Sequence, residues 1–488
     1  LDVHDQMNHP TPSGFLAERG LLTPDGQRRA AEIIQRVAAE GIETIRLSFA
    51  DPHGVLRGKT VLPHALPGAL SDGLTAPSTV ILKDTSQRTA FPVWQADAGF
   101  GAGDLTGSGD VLLVPDPATF RVLPWAEKTG WILCNVARRD GSALGFDPRS
   151  ILADAVAQLA EQGLALRVGL EVEFHVFRVR DDRLSPEASG MPAAPPEVDF
   201  LTRGYGLLGE DRADALDSVM ELLRGVCAGL GLPLRAVEPE FGPSQLEFVF
   251  DPGDPLAQAD AMVLFRSMVK QVCARNGLHA SFMSRPRLAN AAASGWHLHQ
   301  SVVALDGGAN RFTPGADGAL TGTASAWIAG LLAHAAESCL LTTPTVNGYK
   351  RYQPHQLAPN RIQWAHDNRG AMIRALLRPG DKASRIENRV AEPAANPYYA
   401  FASQIAGGLS GLSQDLTAPA PVEAPYDTAT PLLPTSLGEA LTAFETGTLY
   451  RTAFGDRFVD AVAGIKRAEW GRYLADLSEW EQREYFGF

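Results

Sequence analysis

A chain of 488 residues, 45 % apolar and 20 % charged, is long enough for two or more cores and has the composition of an ordinary globular protein. A net charge of −13 argues against nucleic acid or an anionic membrane as partner, because phosphate binding draws on a basic surface. No apolar run is long enough to cross a bilayer, Trp327 to Ala336 being the nearest, and Leu1-Asp2-Val3-His4-Asp5 lacks the basic-then-apolar order of a signal peptide.

A cytoplasmic protein is expected. Cys134, Cys227, Cys273 and Cys339 lie far apart without paired spacing, which suits reduced thiols better than a disulfide framework or a zinc site.

In chain order, Pro24 to Glu40 reads as a helix. Thr44 to Phe49 and Val55 to Val61 flank the turn sequence Asp51-Pro52-His53-Gly54 and predict a hairpin. The glycine-rich stretch Gly99 to Gly109 leads into a strand pattern, Val111 to Val114, rather than a helix, and lacks the Gly-Lys-Ser/Thr ending of a phosphate loop. With Trp131 to Val136 these segments predict a small β-rich domain over residues 1–143. Over 144–488 the pattern changes to helical segments (148–163, 214–230, 256–276, 323–341, 396–412) alternating with short strands. Ser185 to Pro196 reads as a surface loop and the Pro-rich Ala418 to Pro434 as an extended arm.

Four strand-like runs carry an unusual polar face. In Arg167 to Phe177, alternation puts Glu171, Glu173 and His175 on one side and Val172, Phe174 and Val176 on the other. Ser244 to Phe250 adds Gln245 and Glu247, with Glu240 just upstream; Gly295 to Ser301 adds His297, His299 and Ser301; Ser384 to Val390 adds Arg385, Glu387 and Arg389. Solvated faces of unrelated strands would read the same way one at a time. Brought together, so many carboxylates need cations between them, and an oxygen-rich set suits Mg²⁺ or Mn²⁺ better than zinc. Arg361, Arg369, Arg374, Arg378, Lys382, Arg385 and Arg389 form a local anion site in an acidic chain. Metals beside arginines suggest phosphoryl transfer.

The order of these motifs resembles the glutamine synthetase superfamily. It runs through Glu-x-Glu, Glu240-Phe241-Gly242-Pro243-Ser244-Gln245-Leu246-Glu247 and Ser294-Gly295-Trp296-His297-Leu298-His299-Gln300-Ser301, then Asn347 to Arg351, Asn368-Arg369, and Arg385 to Arg389 with Asn396-Pro397-Tyr398. The resemblance implies an α+β fold, with a small β-grasp N-terminal domain and a catalytic domain whose curved antiparallel sheet is flanked by helices. It also implies six-membered rings paired to a dodecamer. By that likeness Glu173, Glu240 and Glu247 hold one metal and Glu171, His297 and Glu387 the other. Arg351 and Arg389 bind glutamate, Arg369, Arg374 and Arg385 clamp ATP, and His299, Ser301 and Lys382 lie near the nucleotide. The implied reaction makes γ-glutamyl phosphate from glutamate and ATP, and an amine then displaces phosphate.

Three features depart from true glutamine synthetases. The flap glutamate expected six residues after Arg351 is Leu357, and no Asp-Gly-Ser-Ser segment supplies a base, Asp84 being the nearest acid. Ala292-Ala293 also replaces an Asn-Gly pair at the glutamate pocket. An ammonium ion wants carboxylates, so an apolar Leu357 beside Trp296 points to a relatively apolar or aromatic monoamine. A polyamine with a pKa of about 10.4 would need counter-charges and a base. A polyamine ligase, an ammonium-using glutamine synthetase and a non-catalytic structural member are the alternatives.

Overall fold

The structure is a computed structural model and describes residues 14–96, 103, 105–306, 308–353 and 358–488. The glycine-rich stretch lies partly outside the described residues.

The first sheet contains β1 (Thr44–Ala50), β2 (Leu56–Val61), β3 (Leu74–Pro77), β4 (Asp110–Pro115), β5 (Arg121–Val122) and β6 (Thr129–Arg138), in the order β2-β1-β6-β4-β3 with β5 also on β6. The hairpin turn is built by Asp51. Its carboxylate accepts from the backbone N–H of His53 at 2.9 Å and Val55 at 3.0 Å and pairs with Arg57 at 2.7 Å, while Gly54 takes a φ of +70°. The helix Pro24–Ala39 is capped by Thr23 and buries Ala30, Ile33 and Val37, a helical spacing, in the same core.

The second sheet comprises β7 (Leu164–Val179), β8 (Val198–Phe200), β9 (Leu234–Pro239), β10 (Gln245–Phe250), β11 (Leu278–Ser281), β12 (Trp296–Ala304), β13 (Trp364–His366), β14 (Ile373–Leu376) and β15 (Arg385–Asn388). Its order is β13-β14-β15-β12-β7-β10-β9, with β8 and β11 also on β7, and every pair is antiparallel except β13–β14. On β7, Val172, Phe174 and Val176 are fully buried. The Phe174 ring lies 4.9 Å from Phe282, 5.4 Å from Phe248 and 5.8 Å from Phe265, the last on helix Pro255–Arg275. Burying each such ring contributes about 1.5–3 kcal/mol. The apolar face of the sheet thus fixes which way the glutamates of β7 point.

Arg149 ties the first sheet to helix Pro255–Arg275, bonding Asp260 of that helix at 2.9 Å, Asp116 after β4 at 2.8 Å and Asn135 of β6 at 2.9 Å. The segment expected as one helix over 323–341 is two, Gly322–Ala333 and Ala335–Thr342, bent by 78° at His334, whose ring bonds Glu337 at 2.6 Å and Ser410 at 2.9 Å. Among the described residues no single helix is long and apolar enough to cross a membrane. The Pro-rich arm is held along β13, where Val422 N donates to Trp364 O at 2.9 Å and Trp364 Nε1 to Pro419 O at 2.7 Å.

Candidate active site

Strand register gathers the polar face. Residues directly opposite in an antiparallel pair share a face. Glu173 lies opposite Glu247, Glu171 opposite His297, and Glu387 opposite His299 on one side and Arg374 on the other. His297 Nδ1 is 2.6 Å from Glu171 Oε1 and 3.6 Å from Glu387, while its Nε2 is 3.5 Å from Glu173. His299 Nε2 is 2.8 Å from Glu171 Oε2, and Arg385 Nε donates to His299 Nδ1 at 3.2 Å.

Two ligand groups result, Glu171–His297–Glu387 and Glu173–Glu247–His297, the donor atoms of each lying within 4.8 Å of one another. The first is the set expected from the motifs. In the second His297 stands in place of Glu240, whose carboxylate instead accepts from the backbone N–H of Phe241 at 2.8 Å.

The electrostatics are those of a cation site. Burial and the charge of Glu240 push the Glu173 carboxyl up, to about 8, and burial with Glu171 and Glu173 pushes Glu247 to about 10. Burial opposes ionisation of Glu171 too, but the His297 and His299 imidazoles hold its carboxyl well below the usual carboxylate range. Acids that resist ionising for want of counter-charge, with one imidazole and otherwise oxygen donors, fit hard divalent cations.

Beside Glu171 lies a cleft of about 760 Å³ lined by Arg167, Glu171, Arg235, His299, Ser301, Lys382 and Arg385 among others. Four of the residues expected near the nucleotide, His299, Ser301, Lys382 and Arg385, therefore share one cavity. Arg374 pairs with Glu387 at 3.0 Å and with Asp367. Arg389 also pairs with the buried Glu387. The Arg369 side chain is exposed and its carbonyl accepts from Arg389 Nε at 3.0 Å.

Other expected residues stand elsewhere. Trp296 is a correction: it lies opposite Val172 on the apolar face, is fully buried, and meets Phe401 edge-on at 5.6 Å. Period-two alternation from His297 already puts it there. Leu357 lies outside the described residues. Arg351 is buried and its Nη groups donate to the carbonyls of Arg389 at 2.9 Å, Val390 at 3.1 Å and Ala391 at 3.3 Å, so it braces the backbone that presents Arg389. Asp84 is 2 % exposed and engaged by Ser86, Arg88 and Arg472. His175 is buried against Phe177 with its Nε2 unpartnered, and burial pushes it down to about 4, so it stays neutral.

The sequence reading missed an aromatic ledge. Tyr205 and Phe241, 50 % and 54 % exposed, pair at 5.0 Å beside Glu240. Arg212 braces both loops, donating to Gly204 O at 2.7 Å and Gly242 O at 2.6 Å, and Tyr205 Oη donates to Asn290 O at 3.0 Å. Gly242 admits no side chain, since a Cβ there would lie 2.5 Å from that of Ala292. Arg167 and Arg235 of the cleft were missed too. Arg167 has a sequence signal, four residues before Glu171 on β7 and so on the same face, with Gly169 between them.

Comparison with known proteins follows the same lines. The family model "Glutamine synthetase, catalytic domain" matches residues 145–485. Gamma-glutamylanilide synthase of Acinetobacter sp is 40 % identical, covering 97 % of this chain and 98 % of its own. Gamma-glutamylethanolamide synthetase GlnA4 of Streptomyces coelicolor is 32 % identical, covering 93 % and 95 %. A solved structure described as "Apo GmaS without ligand" superposes with a TM-score of 0.78 at 28 % identity, covering 93 % of this chain and 99 % of that one. Register, ligand groups and relatives agree: the chain belongs to the glutamine synthetase family.

Proposed function

We propose that this enzyme joins the γ-carboxyl of glutamate to a relatively apolar, aromatic primary amine, driven by ATP. The γ-carboxylate of glutamate attacks the terminal phosphorus of ATP, and ADP leaves. The amine nitrogen then attacks the acyl carbon, phosphate leaves with the bonding pair, and the nitrogen loses a proton to give the γ-amide. The cleft holding His299, Ser301, Lys382 and Arg385 takes the nucleotide, and Arg369 and Arg374 stabilise charge on the transferring group. Arg389 binds the glutamate carboxylate, in a position held by Arg351. Glu171, His297 and Glu387 would hold one divalent ion, Mg²⁺ or Mn²⁺, and Glu173 and Glu247 with His297 another, Glu240 joining them on release of the Phe241 N–H. Bound there, such ions neutralise the phosphates and act as Lewis acids.

The observation that carries the choice of amine is the Tyr205–Phe241 ledge, a half-exposed aromatic face beside Glu240. An aryl ring gains there by stacking what an ammonium ion cannot. The name of the Acinetobacter relative supports the same class of acceptor. The test is Phe241→Ala. The KM for aniline should rise about tenfold, one aromatic contact being worth about 0.5–1.5 kcal/mol beyond its area, with the KM values for ATP and glutamate within about twofold. An unchanged aniline KM would remove the ledge from the account.

The same reading puts the enzyme in the cytoplasm, in keeping with four buried free thiols, and in rings of six paired to twelve, which sedimentation velocity distinguishes from a monomer.

A further inference from the structure

A second large cavity, about 790 Å³, opens on the far side of the catalytic sheet. It lies between the β1–β2 turn, helix Pro255–Arg275, β11 and the segment 344–347. The stacked rings of Phe174 and Phe282, 4.9 Å apart, lie on this face of the sheet, and none of the candidate metal ligands lines the cavity. Its wall is largely apolar, with Val263, Phe282 and Val346, and Met283 is 41 % exposed. The volume falls in the range of small-molecule pockets, roughly 300–1,000 Å³.

The charges in this wall are almost all spoken for. Glu392 accepts from Ser284 at 3.0 Å and from the Thr345 N–H and hydroxyl at 2.8 Å. Lys466 pairs with Glu469 at 2.9 Å. His53 Nε2 lies 2.9 Å from Lys83 O. Arg266 donates to three carbonyls, Pro393 at 3.0 Å, Ala395 at 2.7 Å and Gly54 at 2.9 Å.

Lys270 differs. Among the described residues its ammonium meets no carboxylate or carbonyl, only the Phe282 ring, whose centroid is 5.8 Å away. The residue is exposed, and the space it faces is the cavity. A cation at the mouth of a largely apolar recess, with no acid committed to it among the described residues, is a seat for an anion.

We propose that this cavity is a second small-molecule site, for a monocarboxylate carried on an apolar body, with Lys270 as its anchor. One free ammonium matches one carboxylate. A phosphate dianion would need donors that Arg266 has already committed to the backbone. The apolar wall takes the rest of the ligand. Asn347 lines the cavity and leads directly into the Gly348–Arg351 turn, so occupancy bears on the brace behind Arg389. This proposal does not rest on the identity of the amine.

Benzoate titrated into the full-length enzyme by isothermal calorimetry, with saturating Mg²⁺, ATP analogue and glutamate, tests it. Saturable binding is expected at one benzoate per chain. Lys270→Met should weaken it at least tenfold and Lys270→Arg by less than about threefold, since a charge-assisted contact is lost in one and kept in the other. Val346→Trp, which fills the cavity, should abolish binding, and ligase turnover without benzoate should stay unchanged in the two Lys270 variants. Absence of saturable binding, binding displaced by glutamate, or binding indifferent to both Lys270→Met and Val346→Trp would overturn the proposal.

Discussion

Glu247→Gln is expected to lower metal-dependent turnover by about 10²–10³-fold while leaving the metal-free fold intact or stronger. Burial and the surrounding acids Glu171, Glu173 and Glu240 push this carboxyl to about 10, so near neutral pH the metal-free protein carries it protonated, and glutamine copies that shape. The sign of the linkage follows. A carboxyl whose folded pKa lies above the unfolded value, here 4.5, binds more protons folded than unfolded. Its contribution is fully present below about 4.5 and is lost as pH rises toward about 10. The wild-type Tm in EDTA should therefore fall across that window more steeply than that of the variant. Metal binding must expel the proton, so the affinity for Mg²⁺ should rise with pH in the wild type. A Glu247→Gln enzyme with near wild-type kcat would show that no ion is held there.

Glu387→Ala should fail in the opposite manner, losing both fold and activity. Glu387 is fully buried and pairs with Arg374 and Arg389, with His297 at 3.6 Å. Burial resists its charge, but His297 and Arg389 hold the carboxyl down near 2, so its stabilisation is present above the usual value of 4.5 and is lost as pH falls toward about 2. Removing it takes the one fully buried acid away from both guanidinium groups, Arg374 keeping Asp367 and Arg389 keeping the Arg369 carbonyl, at a cost of about 3–5 kcal/mol. Urea denaturation should register that loss, and turnover should fall by more than about 10²-fold. Glu387→Gln should recover part of the stability without the activity. An alanine variant with unchanged ATP turnover would mean that the carboxylate cluster is structural.

Much of the site was legible because strands convert spacing into direction. Glu171 and Glu173 are two residues apart, so both had to leave the sheet on the side opposite Phe174, and the same rule linked His297 with His299 and Arg385 with Glu387. What one sequence does not carry is register across strands. That Glu173 faces Glu247, so that His297 enters both ligand groups and Glu240 turns to its own backbone, depends on how β7, β10 and β12 slide past one another. Trp296 obeys the same alternation, and as the neighbour of His297 it faces the core. Tyr205 and Phe241 were missed for another reason. They come from loops, where no periodicity operates, and they meet only because Arg212 spans the carbonyls of Gly204 and Gly242. The break at His334 rests on side-chain partners at Glu337 and Ser410. The family was legible from motif order, and the departures at Leu357 and Ala292-Ala293 pointed away from ammonium as the acceptor.

The direct measurement is phosphate release with glutamate, ATP and Mg²⁺ across a panel of ammonium, alkylamines, polyamines and anilines. The kcat/KM should be highest for an aniline, ammonium and polyamines should trail it by about tenfold or more, and omitting glutamate should abolish the signal. Ammonium as the best acceptor, or phosphate release indifferent to the amine, would contradict the proposed function.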